Sequence, residues 1–149
     1  DRVFHAPAAI LADVCAAAGR PPFVYRFDWS PPLFGGLTGA FHGLELPFVF
    51  GTLRSGLFRA TLGVRRDARH LSSRIQRAWA AFARDGTPGD ESLPDWQPYE
   101  PAERLAMIFG PVTGTHRHVH EVAARFFAPI LAAGVERGAA DLHGSSAEA

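Results

Sequence analysis

The sequence predicts an α/β fold. Three observations carry this: a segment with helical spacing closed by glycine and proline, a short run of β-branched and aromatic residues directly after it, and a second, longer amphipathic segment further along. In the first segment, from Phe4 to Ala18, the apolar residues Ile10, Leu11, Val14 and Cys15 recur at helical intervals, and Gly19 followed by Pro21 and Pro22 supplies a stop. Phe23-Val-Tyr-Arg-Phe-Asp-Trp29 is bounded by proline on both sides and reads as a largely buried strand. The stretch 30–43, SPPLFGGLTGAFHG, holds too much proline and glycine for regular structure, yet it is strongly apolar; it is expected to be a loop packed over something. Leu44–Phe50 has the composition of a strand, although Pro47 argues against a central one because it cannot donate to the ladder.

From Asp67 to Asp85, Leu71, Ile75, Ala78, Trp79 and Phe82 fall on one face while Arg69, Arg74, Arg77 and Arg84 lie largely outside it, so a helix is predicted here. Residues 86–101 are turn-rich and resemble a linker, and Arg104–Phe109 is a short apolar run suited to an edge strand, ended by Pro111. His116–Glu136 carries Val119, Val122, Ala123, Phe126, Phe127, Ile130 and Leu131 on a helical stripe that Pro129 should kink. The tail from Gly138 is expected to fray.

With 47% hydrophobic and 20% charged residues, the 149-residue chain can bury one core. Fifteen basic residues balance fifteen acidic ones, so the chain has no electrostatic footprint for nucleic acid or an anionic membrane. No run approaches the roughly 20 apolar residues that span a bilayer. The lone Cys15 has no partner for an internal disulfide. The chain begins without methionine at Asp1 and shows no signal-peptide order, which suggests a segment of a longer protein.

Chemistry centres on His42. A histidine acting as general base belongs on a well-packed loop at the carboxyl end of a strand, where its ring reaches a nucleophile presented by a neighbouring strand. His42 follows the predicted strand by one apolar loop, and Gly39, Ala40 and Gly43 allow close approach of backbone or ligand. Its position alone fits equally a loop histidine satisfied by a backbone carbonyl.

The wording around it is more specific. Gly39-Ala-Phe-His-Gly-Leu-Glu-Leu-Pro-Phe-Val-Phe-Gly51 closely resembles the histidine motif of type-B carboxylesterases and cholinesterases. Asp1-Arg-Val-Phe4, Val24-Tyr-Arg-Phe27, Leu71-Ser72, Ile75, Trp79 through Gly86, Pro88, Trp96, Pro98-Tyr99 and Met107-Ile-Phe109 recur in that family's order. The resemblance covers about residues 1–109 and implies the C-terminal segment of an α/β-hydrolase domain, incomplete as given, with 110–149 as a helical extension and tail. It implies that His42 is the catalytic base, that Glu45 supports the local structure, and that the triad acid and serine lie upstream, in the order serine, acid, histidine. Asp1, Asp13 and Asp28 precede His42, but each reads as structural.

The nucleophile elbow Gly-x-Ser-x-Gly is absent, since Ser55 and Ser146 each lack a required glycine, and Gly35-Gly36 read as loop glycines. Leu33, Phe34, Leu37 and Phe41 are candidates to line an acyl or alcohol pocket, with core packing an equal use for them. His116, His118 and His120 form His-x-His-x-His, and on a helix His116 and His120 would share a face; no cysteine or further acid completes a metal set, so no metal is assigned. Trp79, Phe82 and Trp96 read as core and cover. The resemblance implies a serine esterase working through an acyl-enzyme on a small carboxylic ester, with no cofactor, and with this segment supplying the histidine to the missing N-terminal part of the same protein. The isolated chain is expected to be inactive. The rival reading is a non-catalytic binding module or inactive fragment that keeps the scaffold without the nucleophile.

Overall fold

The computed structural model describes residues 4–56, 58–59, 65–89, 91–119, 121–122, 125–127 and 129. In chain order it contains helix α1 (His5–Ala17), strand β1 (Tyr25–Phe27), a 3₁₀ turn (Leu33–Gly36), the one-turn helix α2 (Leu46–Val49), helix α3 (Arg66–Asp85) and strands β2 (Ala106–Phe109) and β3 (Gly114–His116). The strands form one mixed sheet in the order β1-β2-β3. β1 and β2 are parallel, with Tyr25 opposite Met107 and Phe27 opposite Phe109; β3 is antiparallel to β2, with His116 opposite Ala106.

This sheet reverses two expectations. The 104–109 run supplies the central strand, all four residues of β2 being buried, whereas β1 lies at the edge of the described sheet with Tyr25 exposed. The reason is β3, which pairs with β2 on the side away from β1 and starts at a glycine. His116 therefore ends a strand rather than opening a helix, and helical backbone is described only later, at 121–122, 125–127 and 129. The expected kink at Pro129 and the tail from Gly138 lie at or beyond the limit of the described residues.

Proline decides a third case. Leu44–Phe50 contains the helical turn α2 instead of a strand: Pro47 occupies the first turn, where its missing N–H leaves no bond unmade. α3 forms where its spacing predicts, with Asp67 in its first turn and Arg84 in its last, complementing the helix dipole. It ends at Gly86, which takes a left-handed φ of 73° and donates its N–H to Phe82 O at 2.8 Å. α1 also forms where expected, but it buries Ala6, Ala9 and Ala12 and leaves Leu11 and Val14 exposed, so its small-residue face is the inward one.

The described chain divides into two compact units. The larger holds the sheet, α2 and α3 around a core of Trp29, Leu44, Phe48, Leu53, Leu71, Ile75, Trp96, Met107 and Phe109. Aromatic rings pack against one another throughout it: the Phe109 ring meets Trp96 and Tyr25 edge to face at 5.6 and 5.9 Å, and Phe48 lies 4.9 Å from Phe27 and, tilted, 5.0 Å from Trp29. Trp96 also donates its indole N–H to Val24 O, so the turn-rich stretch after Gly86 is a cover for the sheet rather than a free linker.

The smaller unit combines α1, residues 99–104 and the chain from His118. Asp13 on α1 accepts from the Tyr99 hydroxyl at 2.8 Å and from Arg104 Nη2 at 2.9 Å, and Arg104 Nη1 donates to the Tyr99 oxygen at 3.1 Å. Arg104 adopts a left-handed φ of 47°, which a side chain tolerates only where its surroundings hold it. Here the holding groups are these two partners and the Val119 N–H on the Arg104 carbonyl.

Removing the ring at the centre of the larger core, as in Phe109→Ala, should cost about 3–5 kcal/mol, read as a lower urea midpoint at unchanged slope, because the site is closed on all sides. In the smaller unit, burial, and next the bond to Asp13, push the Tyr99 phenol up to about 12. Since the folded protein holds this proton more tightly than the unfolded chain, whose phenol titrates near 10, the associated stability should be complete below about pH 10 and lost as pH rises toward 12. The 295 nm absorbance difference between wild type and Tyr99→Phe should titrate near 12; a midpoint near 10 would contradict this geometry.

Candidate functional site

The loop that carries His42 begins where β1 leaves the sheet. The N–H groups of Asp28 and Trp29 both donate to the Phe109 carbonyl, at 2.7 and 3.2 Å, so the parallel ladder closes there and cannot continue. Arg26 clamps Asp28 through two bonds of 2.7 and 2.6 Å. Opposite, a β-carbon on Gly110 would lie 3.3 Å from that of Asp28, so the strand ends approach more closely than a larger residue would allow. Trp29 and Pro31 are then buried, and the chain turns outward.

Tight turns shape the loop beyond Trp29. Ser30 Oγ donates to Gly36 O at 3.1 Å, and the Gly39 N–H donates to the same carbonyl at 3.2 Å. Gly39 and Gly43 flank the histidine with φ of 59° and 80°, conformations that only glycine takes without strain. The Leu44 N–H closes a turn onto Phe41 O, and the Leu46 N–H another onto Gly43 O. His42 thus stands at an exposed crest, while Leu44, two residues on, is buried in the core.

The four residues expected around an apolar pocket divide. Leu37 is 89% exposed and Phe41 51%, so on this crest neither packs into the core, although Pro31 at the start of the same loop is buried. Leu33 and Phe34 lie in the 3₁₀ turn, and their side chains are outside the described part of the structure. At the carboxyl ends of β1 and β2 a separate cleft of about 300 Å³ is lined by Trp29, Asp67, His70, Leu71, Arg74, Gly110, Pro111 and Thr113; neither His42 nor Phe41 lines it.

The acids before His42 are engaged elsewhere: Asp13 by Tyr99 and Arg104, and Asp28 by Arg26. Asp1 lies outside the described residues. Glu45 is half-buried; burial, the larger effect, and the charge of Glu45 hold the Tyr25 phenol above the usual range. Ser55 Oγ donates to Thr52 O at 2.8 Å and closes a local turn, and Ser146 lies outside the described residues. Of the histidine triplet, His116 ends β3, His118 takes a left-handed φ of 57° and bonds Glu121 at 3.4 Å, and His120 is outside the described residues, so the expected shared helical face is not formed by His116. Among the described residues no three His, Cys, Asp or Glu side chains converge to hold a metal ion.

Helical periodicity did not single out Ser72. It lies within the inward stripe of α3, yet it is polar, and it is the one buried polar side chain among the described residues. Its hydroxyl donates to the Phe48 carbonyl of α2 at 2.8 Å, joined by Gln76 Nε2 at 3.3 Å. The available signal was a serine beside Leu71 on an otherwise apolar face.

Comparison with known proteins places this arrangement. Residues 1–127 match the profile of the Carboxylesterase family, so the match runs past Phe109, where the recurring motifs stop. The chain is 40% identical over 111 residues to para-nitrobenzyl esterase of Bacillus subtilis (strain 168), covering 72% of this chain and 22% of that protein. It is 31% identical over 112 residues to phenmedipham hydrolase of Pseudarthrobacter oxydans, covering 74% and 22%. The chain therefore spans about a fifth of the length of these relatives. Among solved structures, a thermophilic pNB esterase superposes with a TM-score of 0.62 at 34% identity, over 70% of this chain and 21% of that one. An esterase of Clostridium hathewayi superposes at 0.75 over 87% and 25%, at 21% identity, and shows the fold alone. The small mixed sheet with its helices is a part of the α/β-hydrolase fold of these esterases.

Proposed function

Because the chain belongs to the carboxylesterase family, we propose that it is the C-terminal part of a serine carboxylesterase and that His42 is the general base. The observation that carries this is the placement of His42: an exposed crest framed by Gly39 and Gly43, reached directly from the carboxyl end of β1, with buried Leu44 anchoring it from behind. An imidazole so placed presents its ring outward to a serine on another segment while its backbone stays fixed.

In this reading the serine and the acid come from a preceding part of the same polypeptide, since the chain has no Gly-x-Ser-x-Gly and both Asp13 and Asp28 are committed to arginines. His42 takes the serine proton as the hydroxyl attacks the ester carbonyl, then passes it to the departing alcohol; in the second half-reaction it takes a proton from the attacking water and gives it to the serine oxygen as the acyl bond breaks, which frees the acid and restores the hydroxyl. The apolar side chains on the same loop, Leu37 and Phe41 on the crest with Leu33 and Phe34 before it, supply contacts to the acyl or alcohol group of a small carboxylic ester. Glu45 supports the local structure. The names of the relatives, an esterase and a hydrolase, agree with this class of reaction.

His42→Ala in the protein that carries this chain should lower kcat on a short-chain p-nitrophenyl ester by about 10³-fold or more, with the fold retained by circular dichroism. Turnover near the wild-type value would exclude His42 as the base.

A further inference from the structure

Phe48 is fully buried, and it lies in a helix of only four residues. So short a helix leaves its last carbonyls without intrahelical partners, and a carbonyl sealed from water costs free energy unless a protein donor reaches it. The Leu46 carbonyl is taken by the Phe50 N–H and that of Pro47 by the Thr52 N–H, both within the segment. The Phe48 carbonyl is taken from outside, by Ser72 Oγ at 2.8 Å and Gln76 Nε2 at 3.3 Å. Gln76 Nε2 also lies 2.8 Å from Ser72 Oγ, so its donors support the hydroxyl that holds the carbonyl. Gly51 fits against this pair: a β-carbon there would stand 3.1 Å from Gln76 Oε1.

Consecutive bonded turns join this anchor to the histidine. Phe48 and Val49 N–H groups donate to Glu45 O, Leu46 N–H to Gly43 O, and Leu44 N–H to Phe41 O, with buried Leu44 and Pro47 between. These turns overlap from Phe41 to Val49, so each shares residues with the next. We propose that Ser72 and Gln76 are positioning residues that set the height and direction of the His42 crest by holding the Phe48 carbonyl. This rests on His42 being the general base, a role in which an error of about 1 Å costs on the order of 10²-fold.

The test compares Ser72→Ala with Ile75→Val in the full protein. Ile75→Val trims the same helix face inside the core but leaves the carbonyl bonded. Ser72→Ala should lower kcat on a p-nitrophenyl ester by about 10-fold to 100-fold with KM changed less than about twofold, while Ile75→Val keeps both within about twofold. Amide hydrogen exchange at Phe50 and Thr52 should quicken by about tenfold in Ser72→Ala relative to Ile75→Val. Wild-type kcat in Ser72→Ala, equal losses in the two variants, or unchanged exchange at those amides would each overturn the proposal. A wild-type protein that hydrolyses no ester would instead sink the reading of His42 as base, and the exchange comparison would still decide whether the Ser72 bond holds the turn.

Discussion

The constraint on which the larger unit depends is a strand closed on every side. β2 is buried at all four residues and bonded along both edges, parallel to β1 and antiparallel to β3. Its last carbonyl, that of Phe109, accepts two N–H groups from the chain leaving β1, and so decides where β1 ends. The loop beyond β1 inherits that decision. The Pro-rich turn, the glycine-framed crest and the helical turn behind it are stacked in sequence from this one terminus, and the rings of Trp79, Trp96 and Tyr25 hold Phe109 in place from the side. The relation agrees with the general rule that functional loops leave open α/β sheets at the carboxyl ends of parallel strands.

The fold was legible where a signal is local. α3 could be read from the spacing of Leu71, Ile75 and Ala78, because helical period is a property of consecutive residues. The ranking of strands was not legible, since whether Arg104–Phe109 is central or peripheral depends on a third strand, Gly114–His116, of only three residues. That same strand made the histidine triplet unreadable: alternation in three residues is indistinguishable from the edge of a helical stripe. Pro47 was seen as an obstacle to a strand but not as the opening of a helix, although one physical fact, the missing N–H, explains both. In α1 the apolar residues at helical spacing include Leu11 and Val14, which are exposed, while Ala6, Ala9 and Ala12 are buried.

The site was legible to the extent that its residues are contiguous. His42 and its glycines lie within five positions, and their arrangement comes from glycine conformations that sequence encodes directly. What holds them from behind is not contiguous: Ser72 and Phe48 are separated by 24 residues, and a lone serine on an apolar face gives no hint of which carbonyl it meets. The engagement of Asp13 was likewise invisible, because its partners lie 86 and 91 residues away, whereas Asp28 meets Arg26 only two positions before it. The architecture thus separates two tasks. In the proposed reading the exposed crest carries the chemistry, and the buried residues two to six positions later hold it.

The distance in sequence between β1 and β2 has a further consequence in time. β1 cannot pair with β2 until about 80 more residues have been made, which at ordinary translation speeds of about 5–20 residues per second is a wait of several seconds. During that interval Phe23, Tyr25, Phe27 and Trp29 are an aromatic segment with neither its ladder nor its cover, since Trp96 and Phe109 are also still to come. Such a segment is prone to pair with another chain. The prolines on both sides of it, and the Arg26–Asp28 charge pair within it, interrupt the run of β-forming residues, a pattern that opposes such pairing as well as bounding the strand in the folded protein.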